Sequence, residues 1–376
     1  MKKTLLAGTF LVVLMLLIVY SGKIAEFSWE GKMPGSSPAE LWVRHVSGEL
    51  TVEERLGKVV LKEVLEGNTS LIGIDYNGRN KWQENWDGKP EIYFDNHSWG
   101  YYDQSQGTIT FFDYNGNLVR RVEPPPDYKY FWSGSKGETI FSCSVISGKD
   151  RLEGLYGEKG IVVNNRGEQI FEETFPGMGI MDIKFLSGTD NLIISLVEIF
   201  PYISAKVYFS TLEGEKLAEI RGDQFFFSPI ILKDHQTVVL ISDSHLYVYS
   251  FKGAPLFKRE WEDSINASFS GPGGDSLIVV ITPEQILKEK TNLVCLSLEG
   301  EVIWEKELPG AYRQGKSRQD GGILIETDLF LYLLQPDGNT LGYYSPEEGH
   351  EIYLLSTDTF LTFDRGKLTA YRWSLK

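Results

Sequence analysis

LVCLSLEGEVIWEKELPG, residues 293–310, sets two apolar runs on either side of Glu299-Gly300. The first run is built from Leu, Val and Cys at strand spacing, and Gly300 supplies the positive φ that a tight hairpin needs. The rhythm recurs at 71–86, 109–123, 160–175, 207–222, 246–261 and 331–346, with turn glycines Gly78, Gly116, Gly167, Gly214, Gly253 and Gly338. A large apolar residue follows the glycine by four positions at Trp82, Phe171, Phe257 and Trp304. Upstream of most hairpins a further strand pattern leaves a polar turn, as in LSGTDNLIISLV and SGPGGDSLIVVIT. Each unit therefore reads as a four-stranded antiparallel meander repeated at roughly 43 residues, the spacing of an all-β propeller. One such sheet cannot bury both faces alone, and radial stacking of copies covers faces and edges together.

The blade count follows from closure. An eighth first strand, LTAYRWS, begins at Leu368, and the chain stops where its outer partner would fall. AELWVRHVS (39–47) has the form of that partner, with Trp42 in the aromatic position. The expectation is eight blades, closed by the N-terminal strand on the C-terminal blade. Seven is the alternative, because TVEER and GKVVLKEVL are weakly patterned as the inner strands of the first blade.

The remainder of the chain divides simply. Lys2 and Lys3 precede an uncharged stretch from Thr4 to Gly22, close to the ~20 apolar residues that span a bilayer. The expectation is a transmembrane signal anchor or signal peptide over 1–22, a linker over 23–39 and a propeller over 40–376. Flanking lysines stay cytoplasmic, which puts the propeller outside the cytoplasm at the cell membrane. The formal charge of −15 repels phosphate backbones and argues against nucleic acid as a partner. Cys143 and Cys295 stand alone in apolar runs and read as two buried thiols, with a disulfide in an oxidising compartment as the alternative.

The hairpin of 293–310, with its L-x-x-L-x-x-x-G-x-x-x-W-x-x-x-L pattern, resembles the repeat of the PQQ-like, or quinoprotein-type, propeller superfamily. The likeness is sharp in the sixth unit and fair in the first and fifth. It implies an architecture shared by quinone-dependent dehydrogenases and by cofactor-free scaffolds, one of which helps to assemble outer-membrane barrels. The alcohol-oxidising members imply a vicinal cysteine pair, which this chain lacks.

No residue pattern supplies chemistry. Asp113, Asn115 and Asn117 alternate as in a calcium loop, but Leu118 and Pro124 stand where Gly and Glu are required, so DYNGN reads as a hairpin turn. The five histidines have no ligand spacing, and no serine has a nucleophile's surroundings. RQGKSRQDGG (313–322) reads as a solvated basic loop. VEPPPDYKYFW (122–132) offers Tyr128, Tyr130 and Trp132 as a partner-binding ridge, or as the start of the next inner strand. The expectation is a non-catalytic, membrane-anchored scaffold without cofactor or metal, bound to a protein of the cell envelope. A quinone-dependent dehydrogenase or small-ligand binder using the central channel is the alternative.

Overall fold

The computed structural model describes residues 38–373 apart from 56, 95–97, 104–105, 124–129, 134–139, 146–156, 165–167, 187–188, 199–203, 223–229, 233–235, 284–289 and 348. The expected membrane segment at 1–22, most of the linker, Tyr128 and Gly167 lie outside these residues. Among the described residues no helix is long and apolar enough to cross a membrane.

Among the described residues seven four-stranded antiparallel sheets are runs of consecutive strands, spanning 49–86, 92–122, 130–176, 178–222, 230–260, 264–309 and 312–344. A further four-stranded sheet is composite: Pro38–His45 pairs with Lys367–Trp373, which continues to Thr359–Asp364 and Glu351–Leu354. The expected count of eight blades is accordingly corrected to seven continuous blades and one composite closing sheet. The reason is that, among the described residues, the outer edge of the last sheet is covered by Pro38–His45, a strand from before the first blade. TVEER and GKVVLKEVL, ambiguous in sequence, pair as Glu49–Arg55 and Lys58–Leu65 of the first blade.

The strands differ by their place in a blade. Middle strands such as Ser276–Thr282 and Ile323–Thr327 are buried along their length, because a neighbouring sheet covers each face. Outer strands such as Val302–Pro309 expose most of their residues. Apolar cores lie between successive sheets: Val239 and Val248 pack with Val279 and Val294 between the fifth and sixth blades. Leu324 and Leu333 meet Phe360 and Trp373 where the seventh blade joins the closing sheet. Leu361 and Leu368 then meet Val59 and Ile72 of the first blade, which completes the ring.

The repeat glycines and aromatics have one shared task. Gly78, Gly116, Gly214, Gly300 and Gly338 adopt φ between +76° and +90° in the outer hairpin turns. Over each lies an aromatic ring from the outer strand of the preceding sheet: Trp42 on Gly78, Trp82 on Gly116, Phe171 on Gly214, Phe257 on Gly300 and Trp304 on Gly338. A Cβ on Gly116 or Gly338 would approach the indole to 2.8 Å. The three tryptophans also donate their indole N–H to the carbonyl two residues before the glycine: Trp42 to Tyr76 at 2.9 Å, Trp82 to Tyr114 at 3.1 Å and Trp304 to Pro336 at 2.8 Å.

Candidate functional site

The strongest convergence of charged groups lies at one end of the innermost strands, around the closing sheet. Glu54 is the last residue but one of the inner strand of the first blade, Lys316 holds the same place in that of the seventh, and Ser356 follows that of the closing sheet. The Glu54 carboxylate is almost fully buried. It accepts hydrogen bonds from Lys316 Nζ at 2.6 Å, Tyr76 Oη at 2.8 Å, and the Ser356 backbone N–H and Oγ, both at 2.7 Å. Lys316 also donates to the Leu354 carbonyl at 3.2 Å. Lys316 and Glu54 thus bridge the inner edge of the closing sheet from its two neighbours.

The electrostatics follow from these contacts. Burial alone would push the Glu54 carboxyl up, but the Lys316 charge and the hydrogen bonds from Lys316, Ser356 and Tyr76 together hold it below the usual range. Burial beside that carboxylate pushes the Tyr76 phenol far above its ordinary value. Glu54 is therefore an ionised, fully engaged acceptor, unsuited to accepting a substrate proton.

A second buried carboxylate, Glu326, sits beside the same inner strand and takes a hydrogen bond from Gln314 Nε2 at 2.5 Å. Gln314 Nε2 also lies 2.6 Å from the Ile352 carbonyl of the closing sheet. Burial pushes the Glu326 carboxyl up, with Gln314 and Arg313 only partly offsetting it. Carboxylates and an amide from different sheets do come together along the inner strands, and each has an internal partner.

RQGKSRQDGG is corrected here. Tyr312–Ser317 is an innermost strand, and Arg318 is 4 % exposed and paired with Asp320. Of these cations Lys316 is part of the closure, Arg318 is buried beside Asp320 and Arg313 stays largely exposed, and only the position of the stretch on an inner strand, which the sequence obscured, could have signalled it.

The aromatic ridge divides differently. The backbone of Tyr130 and Trp132 belongs to the innermost strand of the third blade, opposite Cys143 and Phe141. DYNGN is a turn: Asp113 Oδ1 accepts the backbone N–H groups of Asn115 at 2.8 Å and Asn117 at 2.9 Å. Asp75 does the same for Asn77 and Arg79 in the first blade. Among the described residues no group of histidines, cysteines and carboxylates is arranged to hold a metal ion.

The second feature is a groove between the fifth and sixth blades. At the end far from Gly300 it opens into a cavity of about 350 Å³ lined by Trp261, Asp263, Asn292, Glu305 and Glu307 over Ile281 and Val294. Glu307 is paired with Lys290 at 2.5 Å.

The architecture places the chain in a known class. BamB from Moraxella catarrhalis is similar over 91 % of this chain and 99 % of its own, at 12 % identity and a TM-score of 0.53. The dihydro-heme d1 dehydrogenase NirN, solved with DHE, is similar over 91 % of this chain and 78 % of its own, at 12 % identity and a TM-score of 0.56. A eukaryotic initiation factor covers 85 % of this chain and 92 % of its own, at 9 % identity and a TM-score of 0.54. These likenesses define a β-propeller, and at such identities they speak for the fold alone. No family model matches the chain, and no curated protein matches it by sequence.

Proposed function

We propose that this chain is a membrane-tethered, non-catalytic propeller that binds a protein partner outside the cytoplasm. One observation carries the reading: the carboxylates gathered on the inner strands are spent on holding the closing sheet, whereas unspent polar groups lie outside, between blades. The tether rests on Lys2, Lys3 and the apolar stretch Thr4–Gly22. The similarity to BamB is one of fold.

Crosslinking of the full chain in intact membranes tests it, with fractionation and N-terminal sequencing of the recovered protein. The expected result is a membrane-bound protein that keeps its N-terminal residues and captures a defined protein. The competing reading, a quinone-dependent dehydrogenase, is tested by adding the quinone with calcium. Saturable binding with dye-linked oxidation of an alcohol or sugar would overturn the scaffold.

A further inference from the structure

The groove between the fifth and sixth blades has a definite composition. Phe257, Arg259 and Trp261 come from one side, and Ile303, Glu305 and Glu307 alternate along the outer strand of the other. Phe257 closes one end over Gly300, and Ile303 on the facing outer strand is exposed. At the other end the volume of about 350 Å³ falls near the lower bound of ligand-sized pockets, roughly 300 Å³.

Three polar groups there lack a hydrogen-bond or ion-pair partner among the described residues: the Trp261 indole N–H, the Asn292 amide and the Glu305 carboxylate. Beneath them Ile281 and Val294 belong to the blade core. Glu305 is the groove carboxylate left without a partner among the described residues, since Glu307 is paired with Lys290 and the Arg259 guanidinium on the facing wall donates to the Gly300 carbonyl at 3.2 Å. Lys306 is also among the residues lining the cavity, and Asp337 of the seventh blade acts on its charge. Trp261 already holds one cation, with the Arg259 guanidinium 5.3 Å from its ring centroid.

We infer that this groove receives a lysine or arginine side chain from an extended segment of a protein partner. The aliphatic stem packs on Trp261, Ile281 and Val294 while the charged head meets Glu305 and Glu307. Asn292 is placed to bond the partner's backbone. The inference rests on the scaffold reading and names the surface that reading requires.

The test uses the full chain in detergent, labelled with 5-fluorotryptophan, with the Trp261 resonance assigned through Trp261→Phe. A blocked peptide Ala-Leu-Arg-Leu-Ala and its Glu counterpart are titrated separately. The Arg peptide is expected to shift the Trp261 signal saturably, the Glu peptide to leave it in place, and Glu305→Lys to weaken the Arg peptide at least tenfold. Absence of a saturable shift, or equal shifts from both peptides, overturns the proposal. So does a shift seen only after residues 284–289 are replaced by Gly and Ser, since the chain would then cover the groove itself. In membranes, a photo-crosslinker at Glu305 is compared with one at Lys81. Capture from Lys81 alone sinks the groove and leaves the scaffold standing. Capture from neither position sinks the scaffold, and the peptide titration still decides the groove.

Discussion

Lys316 and Glu54 lie 262 positions apart in the chain, and their ammonium and carboxylate stand 2.6 Å apart across the closing sheet. A propeller whose last sheet is assembled from both termini is held shut by strand pairing and by whatever ties that sheet to its neighbours. Here one ion pair ties both neighbours together, and the buried partner is the one with most to lose.

Lys316→Met should therefore destabilise the fold by about 2–3 kcal/mol. Breaking a fully buried pair costs roughly 3–5 kcal/mol, and the partial exposure of Lys316 reduces that figure. Adding Glu54→Gln removes the stranded charge and should restore part of the loss. Denaturant unfolding of both variants measures this, and a Lys316→Met protein as stable as the parent would refute the account.

The two buried carboxylates predict opposite pH effects. Glu54 titrates below the usual range when folded, so its contribution is present above the unfolded Glu value of about 4.3 and is lost as pH falls through its folded value. Glu54→Gln should flatten the acid limb of stability below about pH 4.3. Glu326 titrates above the usual range, so its charge costs stability at neutral pH and the cost disappears as it protonates. Glu326→Gln should be at least as stable as the parent at pH 7, with the gain vanishing by about pH 4. Thermal unfolding across this range reads both signs.

Much of the architecture was legible because its signals are local. Gly300 and Trp304 announce a turn and a packing ring four residues apart, and strand runs such as SLIVVIT declare burial on both faces. The pairing of LWVRHV with LTAYRW was also readable, since a missing outer strand leaves a definite vacancy. The latch was not legible. Glu54 and Lys316 are ordinary surface residues by type, and only ring closure makes them neighbours. The groove was hidden for a related reason: Trp261 and Glu305 belong to different repeats, and alternation along one strand does not say what faces it.

Cys295 makes a simple check on the middle strands. Its thiol is free and 1 % exposed, and burial pushes its pKa above the ordinary value. Both effects suppress the thiolate, the reactive form. In the folded protein it should resist an aromatic disulfide reagent for hours and react at once in denaturant. Measured with Cys143→Ser as background, fast labelling of the native protein would mean that the sixth blade opens readily.

The contact between the repeat aromatics and the following glycines separates two costs that usually come together. Gly338 has φ +83° beneath the Trp304 ring, whereas Gly349 has φ +87° with nothing within 4 Å of where a Cβ would lie. Alanine at either position pays for left-handed backbone, roughly 1 kcal/mol. Only at Gly338 must the indole also move, losing its hydrogen bond to Pro336 at 2.8 Å and part of its packing. A net hydrogen bond contributes about 1 kcal/mol, so Gly338→Ala should cost about 2–3 kcal/mol against about 1 for Gly349→Ala. Trp304→Phe removes the indole N–H, so the penalty for Gly338→Ala measured in that background should shrink. Equal costs at Gly338 and Gly349, or strict additivity with Trp304→Phe, would show that the ring does not couple the sixth blade to the seventh.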